Sequence, residues 1–240
     1  MPKVRYLKVT FANPILAREA PCFRASVIEA TARQSALFHN HTPDSGSIYR
    51  YPLIQYKPLF KKASIICLNE GTDDIHYLFQ RRDLSLRIGD RQETFQIEDI
   101  HLNYFNVQCW QGQLEYALKD WQALNQDNYQ RFQALGTEIE RLQFLEKLLL
   151  GNILAFAKGI GWCPEGALQV QISRLKGSRW LPYKGRKVLC FSLNFRCNAS
   201  FPNFIGLGKG VSVGFGSLLE IRGKKLGSMK YEVGSAGFEI

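Results

Sequence analysis

The sequence predicts an α+β protein of two tandem ferredoxin-like units, each βαββαβ in order, packed side by side. Segments of strand and helix period alternate through the first hundred residues in the split βαβ order. A second series of strands follows from about residue 100, arranged around the strongest helical signal in the chain at 137–158. No low-complexity linker separates the two series, so the units are expected to pack closely, over residues 1–110 and 111–240. The 240 residues suffice for one large or two small domains, and a hydrophobic content of 45% supports packed cores.

Lys3 to Phe11, KVRYLKVTF, alternates polar and apolar residues and reads as a strand that Pro14 closes. FRASVIEATARQS, residues 23–35, spaces its apolar positions as a helix does. In the HNHTPDSGS stretch that follows, Pro43 and Gly46 disfavour any continuation of that helix. Ile48 to Tyr56 reads as a strand, interrupted or edged at Pro52. Ala63 to Leu68 is β-branched and apolar, the pattern of a buried strand. A helix is expected from Thr72, with Asp73 and Asp74 near the positive end of its dipole. Residues 84–99 hold two more short strands. In the second unit HLNYFNVQCW and QLEYAL read as strands. Thr137 and Glu140 have the spacing of a capping box at the start of the long helix. After Gly159 and Gly161 come the strands LQVQISRL and KVLCFSLNF, joined by the basic hairpin KGSRWLPYKGR.

Lysine and arginine number 31 against 21 acidic residues, a net charge of +10. Such an excess attracts polyanions, nucleic acid first and an anionic membrane surface second. No apolar run reaches the roughly 18 residues of a membrane span. The longest, Leu148 to Phe156, is broken by Gly151 and Asn152, and the amino-terminal stretch lacks the apolar core of a signal peptide. No basic amphipathic helix with exposed bulky apolar residues stands out either. A cytoplasmic protein with no membrane partner is expected. The six cysteines are scattered without a CxxC pair, which disfavours a zinc knuckle and favours buried free thiols.

Two of the four histidines fall in ALFHNHTPDSGSIYRYPLIQYK, residues 36–57, ahead of three tyrosines and a lysine. RNA carries its own nucleophile in the 2′-OH. An enzyme that cuts it must remove that proton, stabilise the phosphorane charge and protonate the departing 5′-oxygen. Imidazole titrates near neutrality, and phenols and cations can orient a phosphate. His39, His41, Tyr49, Tyr51 and Lys57 supply these groups. A metal site of HxH spacing would want carboxylates or cysteines nearby, and only Asp44 is close, so no metal and no cofactor are expected. His39 follows Leu37 and Phe38 and either packs or caps a helix or takes part in the chemistry. Tyr49 and Tyr51 share a face of a regular strand; one is a candidate catalyst, the other a core residue or a stacking platform. Lys57 is a solvated strand end or a phosphate contact. His76, in an amphipathic pattern, and His101, before an alternating strand, lack such company.

Residues 206–216, GLGKGVSVGFG, cluster Gly206, Gly208, Gly210, Gly214 and Gly216 around Lys209. Glycines so placed make tight turns or expose amides as an anion nest. A Walker motif needs Ser or Thr after the lysine, where Gly210 stands, and no strand–helix context suits a dinucleotide fingerprint.

The G-h-G, five residues, G-h-G pattern closely resembles the signature of the CRISPR-associated repeat-processing endoribonucleases of the repeat-associated mysterious protein superfamily. The resemblance implies two ferredoxin-like folds, a glycine loop in the second that supports RNA binding, and a catalytic histidine after the first helix, where His39 and His41 stand. It implies metal-independent cleavage of CRISPR repeat RNA, the precursor to guide RNA, by 2′-OH attack, leaving 2′,3′-cyclic phosphate and 5′-OH ends. His41, deeper in the loop and nearer Tyr49, is assigned the main proton transfer, with His39 and Tyr49 beside it. RNA contacts are expected at Tyr51, Lys57 and Lys209, and on the hairpin at Arg174, Lys176, Arg179, Trp180, Tyr183, Lys184, Arg186 and Lys187, where aromatics stand among cations. The alternative is a non-catalytic subunit that holds guide RNA in an effector complex. Repeat RNA is the expected partner; a homodimer and effector-complex subunits stay open. Many members end soon after the glycine loop, whereas 24 residues follow Gly216 here.

Overall fold

The computed structural model describes residues 3–31, 50–81 and 83–221, with Leu37 and the backbone of 41–42 and 46–47. Strand β1 (Lys3–Pro14) leads through a 3-10 turn into helix α1 (Ala20–Ala30). The helix starts and ends earlier than its apolar spacing suggested. Pro21 sits in its first turn, where a missing N–H leaves nothing unsatisfied. Strands β2 (His41–Thr42) and β3 (Gly46–Ser47) form a short antiparallel pair. Then come β4 (Ile54–Leu59), β5 (Lys62–Leu68), α2 (Glu70–Asp74), α3 (His76–Phe79), the hairpin β6 (Ser85–Ile88) and β7 (Arg91–Thr94), and β8 (Ile97–Asn106).

Four of these strands form an antiparallel sheet in the order β4-β5-β1-β8, the βαββαβ order with the first and third strands of the unit central. The expected strand at Ile48 to Tyr56 begins only at Ile54, after Pro52, which offers the ladder no donor; Ile48 and Tyr49 lie outside the described residues. The helix expected from Thr72 is two short helices that begin at Glu70 and part at Ile75. Asn69, at φ 46°, turns the chain out of β5 directly into the first of them.

The second unit follows the same plan: β9 (Cys109–Trp121), α4 (Gln126–Ala134), α5 (Glu138–Gly159), β10 (Val170–Tyr183), β11 (Arg186–Ala199) and β12 (Ser217–Glu220). Its sheet order is β10-β11-β9-β12, so the strand-order rule of the first unit repeats. Where the second helix of the unit would stand, the chain instead runs through the glycine-rich loop, with a 3-10 turn at Val211–Val213. The capping box forms as its spacing predicts: the Glu140 amide donates to Thr137 Oγ1 at 3.2 Å, and the Thr137 amide to Glu140 Oε2 at 2.9 Å. Asn152, the polar break in the apolar run, accepts a hydrogen bond from Trp121 Nε1 at 2.8 Å.

Alternation along the first sheet explains how the halves join. Leu7, Val9, Phe11, Ile54, Tyr56, Ile65 and Cys67 face α1 in one core. Val4, Tyr6, Leu53, Leu59, Ile66 and Leu68 face the other way, into a core shared with α5 and β11 of the second unit. The SIICL stretch therefore reads as continuously apolar because its sheet is covered on both faces. Of the cysteines, Cys67, Cys190 and Cys197 are buried as expected, but Cys22 and Cys163 are exposed. No described helix is long and apolar enough to cross a membrane.

Candidate nucleic-acid interface

Strand β4, IQYKPL, points its alternate side chains to opposite sides. Ile54 and Tyr56 enter the first core, where the Tyr56 ring meets Phe23 edge-on at 5.9 Å. Gln55, Lys57 and Leu59 point into the seam between the halves, all three buried. The glycine-rich loop lies directly against them. Gln55 Oε1 accepts from the Gly206 amide at 2.9 Å, and Tyr51 Oη donates to the Gly206 carbonyl at 2.8 Å. Gln55 Nε2 donates to Tyr51 Oη at 2.9 Å and to the Pro52 carbonyl at 3.1 Å. Lys57 Nζ donates to the Phe204 carbonyl at 2.6 Å.

Tyr51 and Lys57 were expected at an RNA surface, and their positions correct that expectation. Both are interior groups that face the loop's backbone rather than solvent, because the second unit covers this edge of the first sheet. Burial pulls the Lys57 ammonium down to about 7. Burial raises Tyr51 above the ordinary phenol range, so its hydroxyl stays a donor.

Crowding dictates the loop glycines. A side chain at Gly216, at φ 63°, would collide with the Leu207 carbonyl; one at Gly208, at φ 92°, would stand 2.6 Å from the Trp121 indole. The loop closes on itself and on β9: the Leu207 amide donates to Gly216, Gly216 to Asp120, and Lys209 to Gln122, at 2.9, 3.0 and 3.1 Å. The amides of Gly210 and Ser212, both half-buried, have no acceptor among the described residues. They, with the half-buried Lys209, are what the loop offers an anion.

The basic hairpin is longer and tighter than its sequence suggested. Strands β10 and β11 meet at a two-residue turn, Lys184-Gly185, with φ of 50° and 74°, the left-handed pair that matches strand twist. Tyr183 packs edge-on against Phe215 of the glycine loop at 5.3 Å, and Lys184 Nζ stands 5.5 Å from the Tyr183 ring centre. The hairpin tip and the glycine loop thus adjoin. Arg174, Lys184, Arg186 and Lys187 are exposed, Lys176 is half-buried, and Trp180 is 51% exposed beside Tyr129. Arg179 differs from its neighbours: it forms a bidentate pair with Asp120 at 2.8 and 2.7 Å, so its charge already has a partner.

Of the expected catalytic groups, His41 is placed by its backbone alone, opposite Ser47 in the β2–β3 pair. His39 and Tyr49 lie outside the described residues. His76 Nδ1 stands 2.6 Å from the Asp73 carbonyl, and His101 Nε2 stands 2.8 Å from Asn103 Nδ2; both histidines are exposed. Sequence reasoning missed Gln55 and Asp120. A glutamine two residues before a lysine in an apolar strand looks like a solvated edge, and nothing local ties Asp120 to an arginine 59 residues away.

Residues 2–106 match the family model of the Cas6b N-terminal domain, and residues 108–221 that of the Cas6b C-terminal domain. The chain resembles a crystal structure of Cas6b with a TM-score of 0.83 and 26% identity, covering 92% of this chain and 100% of that one. A structure described as the CRISPR RNA processing endoribonuclease Cas6b shares the fold, with a TM-score of 0.70 and 24% identity over 92% of this chain and 100% of that one. An uncharacterised protein of Methanocaldococcus jannaschii is 34% identical over 104 residues, 43% of this chain and 69% of that protein.

Proposed function

The chain belongs to the Cas6b family, and on that premise we propose that it is an endoribonuclease that binds CRISPR repeat RNA and cuts it without a metal ion. One observation carries the reading. The cationic hairpin tip, the glycine loop and strand β4 with Tyr51 just before it meet in one place through the Tyr183–Phe215 contact and the bonds of Tyr51 and Gln55 with Gly206.

Exposed Arg174, Lys184, Arg186 and Lys187 attract the phosphate backbone, and Trp180 offers a face for base stacking. Lys209 and the amides of Gly210 and Ser212 hold a phosphate near the seam. The 2′-oxygen attacks the adjacent phosphorus as its proton leaves. The P–O5′ bond then breaks as the 5′-oxygen gains a proton, leaving a 2′,3′-cyclic phosphate and a 5′-OH. His41 carries the principal proton transfer; His39 and Tyr49 orient it and offset the charge on the phosphorane. Incubation with repeat RNA in EDTA tests this. Cleavage should persist, and deoxyribose at the nucleotide before the cut should abolish it while leaving binding intact. Normal cutting of the deoxy substrate would refute the 2′-OH route, and tight binding with no cutting of any repeat RNA would indicate a guide-RNA-holding subunit.

A further inference from the structure

We infer that Tyr51, Gln55 and Lys57 are positioning residues: a polar latch that holds the glycine-rich loop in register with strand β4 of the first unit and so selects which phosphodiester is cut. The proposed RNA cleavage is its premise.

A seam between two domains needs only apolar contact, and Leu53, Leu59 and Leu207 provide it. Three polar side chains buried in the same seam carry a desolvation cost unless each is bonded. Each is bonded, and the partners are specific. Both main-chain polar groups of Gly206 are taken, the carbonyl by Tyr51 and the amide by Gln55. Gln55 and Tyr51 are bonded to each other, which closes a ring of three hydrogen bonds around one residue of the loop. Lys57 takes the carbonyl of Phe204, two residues earlier. Bonds to main chain fix where the loop's backbone runs, whatever side chains the loop carries.

The other end of the latch is equally constrained. The Tyr51 ring meets Phe156 edge-on at 5.2 Å, and its Cβ lies so close to Gly159 that a side chain there would collide with it. Tyr51 therefore has one seat, between the end of α5 and the loop. It stands two residues after Tyr49 in the chain. A shift of the glycine loop would pull on Tyr51 and, through Gln55, on strand β4.

Tyr51→Phe removes one hydroxyl, and Gln55→Met removes the amide while keeping its length. Each should be compared with the unaltered protein in single-turnover cleavage of a repeat RNA, with ends mapped to the nucleotide. Rates should fall between about ten- and a hundredfold, as small misplacements of reacting groups do. Affinity for the RNA should change less than about threefold, because the cationic contacts are untouched. Cuts should spread to neighbouring phosphodiesters, an effect that a smaller folded fraction would not produce. The Gly206 amide should exchange its hydrogen faster in both variants. Faster exchange with an unchanged rate and cut position overturns the positioning role, and unchanged exchange overturns the latch itself. If the unaltered protein binds repeat RNA but cuts none, the proposed function fails. The latch then stands or falls on whether the variants shift the loop's crosslinks along the bound RNA. Should Gln55→Met fail to fold, Tyr51→Phe carries the test alone.

Discussion

Replacing Lys57 with methionine should tilt the pH dependence of stability. The lysine is fully buried, and its amine is held by the Phe204 carbonyl; burial pulls it from 10.5 to about 7. Between those values the unfolded chain binds more protons than the folded one, so the stability of the unaltered protein rises with pH there. Below about 7 the fold bears a buried charge, a penalty of roughly 5 kcal/mol from a shift of three to four units at about 1.4 kcal/mol each. Near pH 9 only about 2 kcal/mol of that penalty remains. Methionine removes the penalty but leaves the Phe204 carbonyl unbonded, a loss of about 1–3 kcal/mol. The variant should therefore be about 2–4 kcal/mol more stable near pH 6 and close to parity near pH 9. Tyr51, Tyr56 and Cys67, also buried, are present in both proteins and cancel in the difference. Urea denaturation of the two proteins across this range, with equal slopes, measures the tilt directly. Parallel stability curves would refute the reasoning, because they would mean that the Lys57 amine titrates as it does in water.

Three further outcomes are expected. His41→Ala should slow single-turnover cleavage by on the order of a hundredfold with RNA affinity nearly unchanged, Tyr49→Phe and His39→Ala less so; wild-type rates from His41→Ala would remove it from the chemistry. Alanine at Lys184, Arg186 and Lys187 together should lower the slope of log affinity against log salt by about 0.7–0.9 for each phosphate no longer neutralised, whereas Arg179→Ala should lower it less because Asp120 already balances that charge. Gly216→Ala should destabilise the protein well beyond the ordinary ~1 kcal/mol of a point change, since the Leu207 carbonyl must move to admit a Cβ; an unchanged melting temperature would show that the loop can rearrange.

The features legible in advance were those that neighbours in sequence decide. Thr137 and Glu140 formed their capping box because its groups lie within one turn. Lys184-Gly185 turned the hairpin because its conformation is local, and the glycine pattern at 206–216 pointed to the family because such clusters arise where backbones must approach closely. Alternation placed Ile54 and Tyr56 on one face of β4 and Gln55 and Lys57 on the other, without saying what either face would meet.

The sequence by itself determined the periods, the caps, the turns and the excess of positive charge, all set by local sterics or by composition. The tertiary structure alone decided that the polar face of β4 is interior, that Arg179 has a carboxylate partner, and that a hairpin, a glycine loop and the strand after the histidines share one place. Lys57 looked like a solvated strand end because a lysine on an edge strand normally reaches water. Here the second unit removes that water, and Phe204, 147 residues away, supplies the acceptor instead. Burial depends on what arrives from elsewhere in the chain, and no window of sequence around Lys57 contains it.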